Sequence, residues 1–334
     1  MRLRRIFRNR FRTEKTAFDA LGLRLWERLT LPAPRARLLG VQRFSQNPII
    51  HSDLSPSIGD NICGPSLVAV PKSVPNRLGA YYLYFAHHRG RFIRMAYADQ
   101  IEGPWTIHEP GVLTLEAAPG FTDHIASPDV HFDPAENRFL MYFHGPSIEE
   151  EAQLTAVAQS MDGIRFDVIP DRLGKFYFRV WSFEGQFYAL AKNFNSGWNE
   201  IYVSASALGP FQRSRNILRR ARHTAVFVEG STLLIFYSRV GDRPERILLS
   251  TIDMRDPFEK WTPSRSIEVL RPETSVEGAD LPSAISRYGA ATDVQQLRDP
   301  FLLRDGERFV LLYALRGEAG LGAARIDLEL PPNR

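Results

Sequence analysis

From Phe44 onward the chain alternates short apolar runs with clusters of Gly, Pro, Asn and Asp. Runs rich in Val, Ile, Tyr and Phe, bracketed by turn residues, predict strands. The clearest are Ala80–Ala86, Phe92–Ala98, Arg138–Phe143, Gln186–Ala191, Thr232–Ser238 and Arg308–Ala314. Helical periodicity is nearly absent outside residues 1–40, so an all-β body is predicted.

Five stretches repeat one plan: a short apolar strand, a polar turn, then a second strand rich in Tyr and Phe. They are CGPSLVAVP…GAYYLYFAHH, ASPDVHFDPAENRFLMYFHG, YFRVWSFEGQFYALAKN, RHTAVFVEGSTLLIFYSR and RDPFLLRDGERFVLLYALRG. Pro65, Pro128, Arg179, Thr224 and Pro300 fall in register, and a third strand follows in most units, as in FIRMAYAD and RILLSTID. The spacing suits four-stranded units of roughly 40–50 residues. Five such sheets set radially make a five-bladed β-propeller, whose closed ring leaves few exposed edges. The last unit has room for three strands only, so a segment near Arg43–Ile50 is expected to supply its outer strand. Residues 1–40 are read as a basic extension with a short helix over Lys15–Leu29, and residues 41–334 as the propeller.

At 334 residues, 44% hydrophobic and 24% charged, the chain is neither disordered nor a coiled coil. A single cysteine, Cys63, excludes an intrachain disulfide framework and a cysteine-rich zinc site. No apolar run approaches the roughly 20 residues that span a bilayer. The net charge of +4 conceals a split: residues 1–40 hold 11 Lys/Arg against 3 Asp/Glu, the remainder 31 against 35. The opening MRLRRIFRNRFR lacks the apolar core and cleavage site of a secretory signal, so a cytoplasmic location is expected. Two readings of this leader stand: an arm making weak contact with a membrane or another anion, or a solvated tail ahead of a helix packed on the body. No specific nucleic-acid partner is expected.

The phrases NPII at 47–50, GPSLV at 64–68, YADQIEGPW at 97–105, SPDVHFD at 127–133 and LRDPFLLRDG at 297–306 carry a resemblance. In order and spacing they resemble the five-bladed propeller glycoside hydrolases, the superfamily of families 43, 32, 68, 117 and 130. The resemblance implies the fold, a carbohydrate substrate, and two Asp and one Glu converging at the starts of innermost strands. The sequence departs from that pattern. Gly64-Pro65 and Ser127-Pro128 stand where Asp-Pro is expected in the first two blades; the third offers Tyr177, Phe178 and Arg179, the fourth Arg222 and His223. Only the fifth keeps the acid, in Arg298-Asp299-Pro300.

In an antiparallel pair the start of the inner strand meets the finish of the second. The funnel mouth should therefore gather Asp60, Asn61, Asp123, His124, Arg222, His223, Arg298 and Asp299 with the loop residues His87, His88, Arg89, His144, Lys192, Asn193, Arg239, Asp242 and Glu318. Glycoside cleavage needs an acid for the leaving oxygen and a carboxylate to drive attack. Asp299 is the expected base or nucleophile, or else a turn aspartate. The resemblance suggests Glu277, in SVEGADLP, as proton donor, against the alternative of a plain loop acid. Asp123 would orient hydroxyls or tune that acid. Substrate contacts are expected from His87, His88, His124, His144, Arg222, His223, Arg239 and Arg298, with Trp198 stacking on a sugar face. Adjacent His87 and His88 point oppositely on a strand end and make no paired-histidine motif, so neither metal nor cofactor is expected. The arginines favour a carboxylate or phosphate. Three functions follow: cleavage of a terminal or short, anionic glycoside; glycan binding without cleavage; or phosphorolysis.

Overall fold

The computed structural model of the chain describes residues 22–23, 25–193, 196–286 and 292–331. Five four-stranded antiparallel units form a β-propeller. Blade 1 holds β3 (Cys63–Ala69), β4 (Tyr81–Ala86), β5 (Phe92–Ala98) and β6 (Thr106–Thr114). Blade 2 holds β7 (Ala126–Asp133), β8 (Arg138–Pro146), β9 (Gln153–Ser160) and the two-residue β10 (Asp167–Val168), with β11 (Gly174–Lys175) also on β9. Blade 3 is β12 (Arg179–Phe183), β13 (Gln186–Asn193), β14 (Trp198–Ser204) and β15 (Gln212–Arg219). Blade 4 is β16 (Ala221–Glu229), β17 (Thr232–Arg239), β18 (Ile247–Asp253) and β19 (Ile267–Leu270).

Blade 5 runs β20 (Arg298–Asp305), β21 (Arg308–Leu315) and β22 (Gly320–Glu329), and its outer strand is β1 (Arg37–Arg43) from the other end of the chain. The ring is thus closed by an N-terminal segment, as three C-terminal strands require, but the segment lies upstream of the expected one. Of Arg43–Ile50, Arg43 in β1 and Ile50 in β2 (Ile50–His51) are ladder partners of β22, and the Phe44 and Ile49 amides donate to its Ala323 and Leu321 carbonyls. Leu38 and Val41 of β1 pack on the cluster between blades 4 and 5, which gives β1 the apolar anchorage an outer strand needs. β1 also crosses residue 40, where the basic extension was expected to end. Of the expected Lys15–Leu29 helix, the part before residue 22 and residue 24 lie outside the described residues; residues 25–30 are helical.

Second strands read as unbroken apolar runs because a blade is covered on both faces. Along β4, Tyr82 and Tyr84 join the cluster shared with Phe139 and Met141 of blade 2. Leu83 and Phe85, pointing the other way, join Val310 and Leu312 of blade 5. Hydrogen bonds then link each inner region to the next right round the axis. Val130 N donates to Ser66 Oγ (2.8 Å), Val180 N to Asp129 Oδ2 (2.8 Å) and Arg179 Nε to the Thr224 carbonyl (2.9 Å). Leu297 N donates to the Glu245 carbonyl (3.0 Å), and Gly64 N to Asp299 Oδ2 (3.0 Å).

One local device repeats. In β3, β7, β16 and β20 the register slips near the start, setting Gly64-Pro65, Ser127-Pro128, Arg222-His223 and Asp299-Pro300 in bulges. Gly64, Ser127 and Asp299 have φ of 61°, 50° and 48°, and Tyr177, just ahead of β12, has 64°. Bulges re-aim side chains at the rims of closed sheets.

Candidate functional site

At the end of the ring where these bulges lie, a cavity of about 440 Å³ opens. Its walls come from all five blades. Cys63, His88 and Arg89 belong to the first, His124, Ser127 and His144 to the second, Tyr177 and Lys192 to the third, Arg222 and His223 to the fourth, Glu318 to the fifth. The pairing register explains the gathering: Cys63 opposes Ala86 just before His88, and Ala126 opposes His144.

Tyr177 is the aromatic centre. Its ring lies 4.5 Å from His144 and 4.5 Å from His223, and the Lys192 ammonium stands 5.8 Å from its centroid. Burial drives the Tyr177 hydroxyl well above the usual phenol range. Burial, with His124 and His88 nearby, pushes His144 well below the usual imidazole range. Burial, Lys192 and Arg222 do the same to His223, so both rings are neutral at pH 7. Burial and the Arg222 charge bring Lys192 down to about 7.

Most of the cations around the cavity have their own acid. Arg222 Nε donates to Glu245 Oε1 (2.7 Å), and Arg298 Nη1 to Glu318 Oε1 (3.0 Å). Lys175 sits 3.4 Å from Glu200, and Arg179 3.7 Å from Asp129. Glu318 is engaged on both oxygens, since Oε2 accepts from Asn61 Nδ2 (2.9 Å) beside His88 Nδ1 (3.7 Å). Lys192 and Arg89 differ: both line the cavity and neither forms an ion pair with a carboxylate among the described residues. His223 Nδ1 meets Asp299 Oδ1, and His124 Nδ1 meets Asp123 Oδ2 at 2.9 Å. No group of three or more His, Cys, Asp or Glu among the described residues is placed to hold a metal ion.

No family model matches the chain. It is 33% identical over 324 residues to uncharacterized protein R118 of Acanthamoeba polyphaga mimivirus, covering 86% of this chain and 90% of that one. The chain belongs to that protein's family. Among solved structures it is similar to a β-1,2-mannobiose phosphorylase from Listeria innocua (TM-score 0.61, 13% identity, 86% of this chain and 96% of that one). It is also similar to an α-L-arabinofuranosidase from Lactobacillus brevis (TM-score 0.57, 13% identity, 84% and 92%). A thermostable family-43 glycoside hydrolase gives a TM-score of 0.56 at 15% identity, over 82% and 91%. These likenesses show a shared fold, the five-bladed β-propeller.

The expected site residues divide into four groups. His88, His124, His144, Arg222 and His223 line the cavity together. Asp299 and Arg298 lie behind its wall, 1% and 0% exposed, holding His223 and Glu318. Asp123 is exposed and positions His124, and His87 stands 4.0 Å from Asp60 rather than in the cavity wall.

The remaining three lie elsewhere. Glu277, expected as proton donor, is fully buried and accepts from Arg43 Nε (2.7 Å), Tyr313 Oη (3.0 Å) and the Glu273 amide (2.9 Å). It ties β1 to blade 5 and has no place in the cavity wall. Arg239 is buried against Glu27 (2.5 Å), and Trp198 lies against Arg219 in a crevice shared with Trp26 and Trp261. Both serve the outer packing of blades 3 and 4. Sequence reasoning missed Glu151, Gln153, Lys175 and Phe176, which reach the cavity from the β8–β9 connection, the start of β9, β11 and the stretch that follows it. The position of KFYF just ahead of an inner strand was the available signal. Lys192 sat in the expected rim but went unselected, although it closes a second strand as His144 does.

Proposed function

We propose that the cavity binds a short saccharide bearing a phosphate or carboxylate. The observation that carries this reading is the pair of wall cations, Lys192 and Arg89, which form no ion pair with a carboxylate among the described residues. Within a sheltered cavity such groups favour an anion, by charge and by hydrogen bonding. A volume of about 440 Å³ suits a mono- or disaccharide-sized ligand. The carboxylate pair expected for cleavage is not assembled from the expected residues: Glu277 is elsewhere and Asp299 is behind His223, and the wall's own carboxylates are Glu151 and Glu318, the latter tied to Arg298 and Asn61.

Titration calorimetry with glucose 1-phosphate, galacturonate and glucose tests the reading. The anionic sugars should bind and glucose should not. Lys192→Gln should weaken phosphate-bearing ligands about tenfold, or about 1.4 kcal/mol. Because the free amine loses its proton near pH 7, binding should be tighter at pH 6 than at pH 8.5 in the parent chain, with a smaller difference in the variant. Equal affinity for glucose would overturn the reading.

Phosphorolysis is the second reading. The same two cations suit inorganic phosphate as attacking species: an oxygen of hydrogen phosphate would bond to the anomeric carbon as the glycosidic C–O bond breaks, and the leaving oxygen would take the proton that hydrogen phosphate gives up. Formation of a sugar 1-phosphate from a disaccharide and phosphate would favour this over binding alone.

A further inference from the structure

The helix over residues 25–30 is mounted on the propeller in an unusual sense. Surface helices ordinarily turn their apolar side to the core. Here the side facing the body carries Leu23 and the carboxylate of Glu27, four residues apart and 7% and 8% exposed. Glu27 Oε1 accepts from Arg239 Nη2 (2.5 Å) and Oε2 from Ser266 Oγ (3.2 Å). The outward side carries Leu25, Trp26 and Leu29, at 59%, 45% and 77% exposure. Leu25 and Leu29 share one face at i and i+4, with Trp26 beside them and Arg28 also exposed. Thr30 Oγ1 bonds the Trp26 carbonyl (2.7 Å) and closes the last turn.

Charge indicates what meets this face. Residues 1–40 hold 11 Lys/Arg and 3 Asp/Glu, with six arginines in the first twelve positions, whereas the rest of the chain is net negative. A Leu/Trp face joined to an arginine-rich segment matches the interfacial zone of a bilayer with anionic headgroups: apolar side chains enter the acyl boundary, tryptophan takes the interface, and arginines meet phosphates. We propose that the exposed face of Leu25, Trp26 and Leu29 docks the propeller on an anionic lipid surface.

Flotation of the full chain with vesicles tests this, using phosphatidylcholine alone and phosphatidylcholine mixed with phosphatidylglycerol. The chain should float with the mixed vesicles, fail to float with phosphatidylcholine alone, and be partly released by salt. The triple substitution Leu25→Ser, Trp26→Ser, Leu29→Ser should lower partitioning about tenfold or more, and Leu25→Ser, Leu29→Ser, which spares the crevice that Trp26 shares with Trp198, should lower it with the thermal melt unchanged. Failure of the parent to float with mixed vesicles overturns the proposal. Equal flotation of the triple variant also overturns it, because charge alone would then account for binding. Capture by duplex DNA without flotation would assign the basic segment to nucleic acid and overturn it too.

Discussion

Lys192 and His144 close equivalent second strands, and the cavity treats them alike by withdrawing them from water among other basic groups. Burial opposes charging either ring, and neighbouring cations add to it, His124, His88, Arg179 and Lys192 around His144, and Lys192, Arg222 and Arg298 around His223, whose Nδ1 also meets the Asp299 carboxylate. The unfolded chain protonates its histidines near 6.5 while these two stay neutral in the fold. Below pH 6.5 the unfolded state therefore binds more protons, and stability falls as pH drops; above it their contribution is flat. Each such ring contributes up to about 1.4 kcal/mol per pH unit. Guanidinium unfolding at pH 7.5, 6.5 and 5.5 should show this decline, and His144→Gln should reduce its slope by up to that amount. An unchanged slope would mean that His144 is already charged in the fold. At this scale the sequence told half the story. Histidines at blade ends were legible because antiparallel pairing fixes which end they occupy. The direction of a loop side chain is not encoded in spacing, so Glu277 looked like a funnel acid until Arg43 and Tyr313 were seen to hold it.

The inner-strand bulge is the element that turns a structural repeat into a site. It opposes two residues to one on the neighbouring strand, and one of the two takes positive φ in blades 1, 2 and 5. Gly64 occupies it in blade 1, and a Cβ there would stand 3.1 Å from the Ser127 Cα with φ at 61°. Gly64→Ala should therefore cost about 1–3 kcal/mol from strain and crowding. It should also disturb the Gly64 amide bond to Asp299, and with it the seat of His223. Ser127→Ala, at a position already carrying a Cβ at φ 50°, should change urea stability much less. Equal effects of the two would remove the steric account. Strand identity was readable from composition, since runs such as YYLYFA admit few alternatives once turn residues bracket them. The bulge was visible only as a recurring dipeptide ahead of each run: Gly-Pro, Ser-Pro, Arg-His, Asp-Pro. Nothing in single-sequence periodicity says that such a dipeptide is an extra residue pair rather than the first rung of the ladder.

For the whole molecule, the decisive contact joins the two ends of the ring. β1 pairs with β22 from Arg37 opposite Glu329 to Arg43 opposite Ala324. Counting strands showed that closure was needed but could not select among apolar segments near residue 40. Leu38 and Val41 decide it, because they reach the cluster between blades 4 and 5. Removing residues 1–43 would expose the β22 edge and take Arg43 from the fully buried Glu277, leaving that carboxylate with Tyr313 and amides as its partners. Breaking one side of this pair, buried at Glu277 and part-buried at Arg43, costs up to about 3 kcal/mol, before the strand contacts are counted. A chain lacking residues 1–43 should therefore lose its cooperative thermal transition or aggregate on purification. One lacking residues 1–21 keeps β1, Glu27 against Arg239 and the outward leucines, and should melt within a few degrees of the parent, at about 2–4 °C per kcal/mol. Differential scanning calorimetry of the two truncations separates the ring clasp from the basic leader. If the shorter chain melted as the longer one does, four blades and three C-terminal strands would be self-sufficient, and β1 would be an ornament on a ring already shut.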